Sequence, residues 1–416
     1  IVLNQTIHRT IIEYGPLAGK RNHSLAHLAA ERDDEVLLRL LLDHGTNVDI
    51  LNNKGETPLY SAVTYGSKTA ATFLLQNGAA LNMRMISGET CLLAACKHMR
   101  LKIASLLVKM GADVNIGTKN GLMPLHVVIY RASELMSSDL NQIVRCKSEM
   151  DFLNELLDKG ADVNASATYG LTEGFTPLCL AVLGGKFEMV KCLLKRGADV
   201  NIHCYNNQTL LRLAVDSNSP ELVQEILKFN PQKNCKINKD ALRVAISRDG
   251  ERSDKIAKLL LNSGFTSEEC SNDSSEFLHT AIRKNYTSVV ERLIRSGVSV
   301  NQIYYCSHGE SPLITSSPLL TAIRYHNNDI VRLLLDLGAD VNMESQSEIC
   351  VQSPLREACS SRNWTAVKIL LNKNIYLENE LSWGTVVDCA LCSHKPEIIK
   401  IVLSQLSSKA AGRFSC

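Results

Sequence analysis

One short phrase recurs along this chain, and its spacing constrains the fold more than any other feature. Paired Leu residues are followed by two mostly polar positions, Gly, a small residue, Asp or Asn, Val, and Asn or Asp. The phrase reads Leu41-Leu42-Asp43-His44-Gly45-Thr46-Asn47-Val48-Asp49 and returns as Leu193-Leu194-Lys195-Arg196-Gly197-Ala198-Asp199-Val200-Asn201. Its Gly falls at 45, 78, 111, 160, 197, 264, 297 and 338, and Asn230 and Asn374 hold the same slot in two further units. Successive spacings are 33, 33, 49, 37, 33, 34, 33, 41 and 36 residues, the signature of a stacked repeat architecture. Such an architecture also suits a chain of 416 residues, which exceeds one ordinary compact domain. Gly at the end of a short apolar helix adopts the left-handed conformation without a Cβ penalty, and Asn is the next best residue there.

A second phrase lies about twelve residues after each Gly: Thr57-Pro58-Leu59-Tyr60, Met123-Pro124-Leu125-His126, Thr176-Pro177-Leu178-Cys179 and Ser317-Pro318-Leu319-Leu320. A Thr or Ser hydroxyl here is expected to cap a helix N-terminus, and Pro suits the first turn, where its missing N–H costs nothing. The two phrases together resemble the ankyrin-repeat family, whose signature is Thr-Pro-Leu-His followed by a helix pair. The resemblance covers roughly residues 22–405. It implies an all-α ankyrin-repeat solenoid of stacked helix-turn-helix units with short β-turn fingers. No such unit buries its apolar face alone, so neighbours must stack into an elongated rod with one core. Ten repeats are expected over residues 22–380, after a partial N-terminal repeat or cap at 1–21. A degenerate capping repeat at 381–405 and a tail at 406–416 follow.

The pattern breaks at three places. About 16 extra residues sit near 132–147, where Ser137-Ser138-Asp139 signals a loop or cap; Ala167–Leu171 lengthens one turn; and a long finger near 302–316 carries Tyr304 and Tyr305. Insertions in solenoids often map to the binding face, while neutral drift in a tolerant loop gives the same pattern. The seventh and eighth units have lost the Thr-Pro pair.

Composition narrows the function. A formal charge of +2 argues against a bulk nucleic-acid or membrane-surface binder, and no apolar run is long enough to span a bilayer. Of the fourteen cysteines, Cys91, Cys96, Cys179, Cys359 and Cys389 fall on apolar helical positions, which reads as small-hydrophobe packing in a reducing compartment rather than disulfides. Cys389 and Cys392 lack the second pair a zinc site needs. No nucleophile elbow, zinc-helix or phosphate-loop motif occurs, so no catalytic, metal or cofactor site is expected. His27, His126 and His279 hold the fourth position of the second phrase, and the resemblance implies structural hydrogen bonds there. It also places Asn115, Asn164, Asn201, Asn301 and Asn342 at a position that is hydroxylated in some ankyrin proteins. The chain opens on Ile1 rather than Met, so a piece of a longer protein is expected, with the cytoplasm as location and the nucleus as alternative.

The resemblance implies that residues just after the paired small residues of each first helix, together with the finger tips, line a concave groove. In four consecutive units these positions carry Arg248, Arg283, Lys284, Arg324 and Tyr325, with Tyr286 beside them and Tyr304 and Tyr305 on the finger. They are the candidate partner-binding residues. The expected partner of the monomer is another protein, through an acidic or phosphorylated segment met by Arg; an ordinary solvated Lys/Arg face is the competing reading. The same columns nearer the N-terminus, including Thr64-Tyr65, Cys96-Lys97 and Leu183-Gly184, are not strongly charged. The function expected is a non-enzymatic scaffold or adaptor. The alternative is the targeting arm of a larger protein, such as a ubiquitin-ligase substrate receptor or a host-directed effector.

Overall fold

The computed structural model describes residues 24–134, 142–169, 172–204, 208–232, 236–265, 271–306, 314–343, 345–346 and 351–373, with 387–388, 391, 396 and 398–404 towards the C-terminus. The expected N-terminal part-repeat at 1–21, most of the cap at 381–405, the tail at 406–416, Asn374 and the Cys389/Cys392 pair lie outside them.

Two compact units make up the chain, residues 1–217 with 224–231 and residues 218–223 with 232–416. The first holds α1 (Leu25–Glu31), α2 (Glu35–Asp43), α3 (Pro58–Tyr65), α4 (Lys68–Gln76), α5 (Cys91–Lys97), α6 (Leu101–Lys109), α7 (Pro124–Glu134) and α8 (Gln142–Asp158). A hairpin of β1 (Ala167–Tyr169) and β2 (Thr172–Phe175) follows, then α9 (Pro177–Leu183), α10 (Phe187–Lys195) and α11 (Leu210–Asp216). The boundary between the units falls within α12 (Pro220–Leu227). The second unit contains α13 (Lys236–Ser247), α14 (Glu251–Asn262), α15 (Ser271–Arg283) and α16 (Thr287–Arg295). After the hairpin of β3 (Tyr304–Cys306) and β4 (Ile314–Ser316) come α17 (Pro318–Arg324) and α18 (Asn328–Asp336). A short hairpin of β5 (Ser345–Gln346) and β6 (Val351–Gln352) then leads to α19 (Pro354–Ser360) and α20 (Trp364–Leu371).

The layering follows from the periodicity. In the first unit α1, α3, α5, α7, α9 and α11 pack in succession, and α2, α4, α6, α8 and α10 form a second row. In the second unit α13, α15, α17 and α19 stack the same way, backed by α14, α16, α18 and α20. Leu59, Leu74, Leu107 and Leu178 of the first unit and Leu260, Leu334 and Leu370 of the second are almost wholly buried between rows. Each such side chain contributes on the order of 1.5–3 kcal/mol. The family likeness expected from the sequence is therefore carried by an all-α solenoid with hairpin fingers.

Local chemistry sets each boundary. The hydroxyls of Thr57, Thr176, Ser317 and Ser353 accept the N–H three residues on, with Pro in the first turn. Where the Thr-Pro stop is missing, as in α13 and α15, the first helix runs 12 and 13 residues instead of seven or eight. A capping Thr stops the helix even without Pro, as Thr90 and Thr209 do before the seven-residue α5 and α11, so it is the loss of both cap and Pro that lets the helix start earlier. At the other end the repeated Gly is left-handed, for example Gly111 at φ 95° and Gly197 at φ 86°, and Asn230 adopts φ 48° in the same slot. The insertion near 132–147, expected as a loop or cap, is helical where it is described: Ala132 ends buried in α7, and α8 begins at Gln142.

In several repeats the fourth position of the second phrase ties the repeat to the next finger. His27 Nε2 donates to Glu56 O (2.9 Å), with Ser24 Oγ on its Nδ1. His126 accepts the Met123 N–H at Nδ1 and donates from Nε2 to Ala165 O and Phe175 O (3.1 Å each). Tyr60, at the same position, donates to Glu89 of the following finger (2.8 Å). At Cys179 the sequence expectation is corrected. Its thiol does not merely fill the core but forms a disulfide with Cys204 of the following finger, so a covalent bond stands where His27, Tyr60 and His126 use hydrogen bonds. Cys91, Cys96 and Cys359 are buried, and burial pushes the Cys91 thiol up to about 12.

Candidate functional site

In the second unit the candidate residues stand at the C-terminal ends of successive first helices, because α13, α15, α17 and α19 stack in register. Arg283 ends α15 and Arg324 ends α17, with Lys284 and Tyr325 one residue beyond. Most of the cations are already engaged within the protein. Lys284 Nζ is bonded to Asp249 of the preceding repeat, Arg324 Nε pairs with Glu357 of the following one at 2.9 Å, and Arg283 donates to Thr280 Oγ1 at 3.0 Å. Glu357 is buried, so its pair with Arg324 is less screened than a surface bridge. The strip is a ladder of inter-repeat bridges as much as a row of cations.

The tyrosines divide. Tyr325 is half exposed, at 49%. Tyr286, expected beside the strip as a partner contact, is instead buried, and its hydroxyl donates to Arg248 O and Gly250 O of the preceding repeat. It is an inter-repeat tether. Tyr304 stacks on His279 with ring centroids 5.2 Å apart, and Tyr305 pairs by backbone with Thr315. His279 also bonds Thr321 Oγ1, and burial lowers its pKa to about 4. A neutral, enclosed imidazole is a packing group.

Looking for charge misses a second feature, in the first unit. Where α5, α7 and α9 end against the finger bases, a recess of about 670 Å³ opens, lined by apolar groups such as Leu93, Leu122, Val127 and Leu180. Its size lies within the range of ligand-binding clefts. Tyr130 and Leu183 at its rim are 39% and 50% exposed, although both are large and apolar. Gly184 lets α9 close the floor, since a Cβ there would come within 2.0 Å of Ser133 Oγ. Lys97 and Arg131 also line the recess, against the single carboxylate of Glu89. Burial favours protonation of Glu89, but bonds from Lys97 (2.8 Å) and Tyr60 outweigh it and lower the pKa. Nearby His98 is held below its ordinary value by partial burial and then by Lys97, Arg100 and Arg131. The signal was present in Leu183 itself, an apolar residue in a column where most repeats carry a polar one.

Among the described residues no group of His, Cys, Asp and Glu is arranged to hold a metal ion, and no helix is long and apolar enough to cross a membrane.

Stacked helix pairs, fingers and tethers of this kind define a repeat solenoid. Comparison with known families agrees: the description "ankyrin repeats (3 copies)" matches residues 4–85, 140–241, 211–304 and 242–345, and "ankyrin repeat" matches 87–119. The chain belongs to the ankyrin-repeat family, whose repeats generally mediate protein–protein interaction and whose fold is typically non-enzymatic. Mouse rabankyrin-5 is 29% identical over 198 residues, covering 45% of this chain and 16% of that protein. The human transient receptor potential cation channel subfamily A member 1 is 25% identical over 277 residues, covering 57% and 24%. A putative ankyrin repeat protein of fowlpox virus, FPV244, is 32% identical over 138 residues, covering 33% and 19%. The chain thus spans well under a third of these relatives' lengths.

Proposed function

We propose that this chain is a non-enzymatic adaptor that holds a partner protein against the ends of its first helices and its finger tips. The observation that carries this reading is the register of its exposed apolar residues. Tyr130 and Leu183 stand six residues after the Pro that opens α7 and α9, and Tyr65 (52%) and Tyr325 seven after the Pro that opens α3 and α17, so all four lie on adjacent positions towards or just past the C-terminal part of a first helix. Exposed apolar residues that stand singly elsewhere, such as Val36 and Ile86, need no explanation, but four at two neighbouring positions of successive first helices do. Arg248, Arg283, Lys284 and Arg324 would add electrostatic steering from the rim.

The test is affinity purification of the full chain from the cells that express it, beside a Tyr65→Glu/Leu183→Glu/Tyr325→Glu variant. At least a tenfold loss of the captured partners is expected, with helicity unchanged. An unaltered partner set would sink the reading.

A second reading makes the chain the targeting arm of a longer protein, favoured by the small share of each relative that it spans. The cytoplasm is the proposed location and a monomer the proposed state. A reducing compartment holds such a bond open, so alkylation trapping should find Cys179 and Cys204 reduced in cells, while the purified protein handled in air carries the Cys179–Cys204 bond seen in the structure. A bridged pair would point to an oxidising compartment.

A further inference from the structure

We infer that the recess between α5, α7 and α9 binds an acidic peptide segment of a partner protein, with a bulky apolar side chain inserted and a neighbouring Asp or Glu held at the rim. This rests on the adaptor reading and names the partner's chemistry at one place. The walls (Leu93, Leu122, Val127 and Leu180) supply apolar surface that gains from displacing water. The lining charges are Lys97 and Arg131 against Glu89 alone, and Glu89 is already bonded to Lys97 and Tyr60. A second carboxylate beside Lys97 and Arg131 is therefore attracted, whereas a cationic side chain is repelled. His98 nearby is held below its ordinary value first by partial burial, and the positive charges of Lys97, Arg100 and Arg131 add to that. Because the opening is rimmed by exposed Leu183 and Tyr130, the flanking peptide has apolar surface to lie on. Specificity then has an attractive part, the anchor pocket, and a repulsive one, the rejection of basic sequences.

The experiment selects a phage-displayed library of random 12-residue peptides on the full chain, then measures selected peptides by fluorescence anisotropy against three variants. Leu183→Glu places an anion at the mouth, Lys97→Glu removes the rim cation, and Tyr325→Glu alters only the second unit. All three replace exposed side chains, and circular dichroism checks their folding. The expected consensus has Leu, Ile, Phe or Trp within two positions of Asp or Glu. Its affinity should fall at least tenfold with Leu183→Glu and with Lys97→Glu, and less than twofold with Tyr325→Glu. Failure to select any peptide, a consensus without the acidic neighbour, or binding that survives Leu183→Glu would each overturn the inference. Peptides lost only with Tyr325→Glu would overturn it while leaving the adaptor reading intact.

Discussion

His279 shows how one side chain couples packing to pH. Its folded-state pKa is about 4 because burial disfavours the imidazolium, with Arg283 adding like-charge repulsion, against an ordinary value of 6.5. Below pH 6.5 the unfolded chain takes up a proton that the folded one refuses. The contribution is therefore intact above pH 6.5 and is lost as pH falls towards 4. From pH 7 to pH 5 the loss is about 2 kcal/mol. Urea unfolding at the two pH values should show His279→Gln losing less stability than the wild type; equal losses would reject the assignment. The other two phrase histidines read equally well from the sequence, since one register position and one physical role recur. Tyr286 did not. Register places it beside Arg248 but does not tell which way its ring turns, and the ring turns inward to the Arg248 carbonyl. Tyr286→Phe should cost about 1 kcal/mol through that lost bond and leave partner binding unchanged.

At the scale of elements, helix starts and stops were the most legible feature, because capping hydroxyls, Pro and Gly act within three or four residues of themselves. Links between repeats were less so. Cys179 and Cys204 are separated by 25 residues and lie on a helix and a finger, so only the stacking brings them together. Closing a loop of that length restricts the unfolded chain by about 3.5 kcal/mol. A reductant, or Cys179→Ser with Cys204→Ser, should lower the urea midpoint of the first unit accordingly, and peptide mapping without reductant should recover the linked pair. The recess was illegible for a related reason. It exists because α7 and α9 approach closely at Gly184, and no local phrase announces such a contact. Gly184→Val should force the helices apart at a cost of about 1–3 kcal/mol and weaken peptide binding in the recess.

For the molecule as a whole, the repeat grammar specified which helix meets which, and this limits how damage can spread. A repeat contacts only its neighbours, so its stability is a sum of its own term and two interfaces. Leu107 in α6 is wholly buried, and α6 packs against α5, α4 and α8. Leu107→Ala removes apolar surface and leaves a cavity, destabilising by about 2–5 kcal/mol. Hydrogen exchange should then quicken in α5 and α6, less in α3, α4, α7 and α8, and hardly at all in α1 and α2. A compact domain with shared packing would instead lose protection everywhere at once, because its unfolding is all-or-none. Uniform loss of protection across the first unit would contradict nearest-neighbour stacking. A graded loss would mean that a partner clamped across α5, α7 and α9 stiffens those three repeats directly, and the same exchange experiment with a bound peptide should show protection rising there and fading by α1.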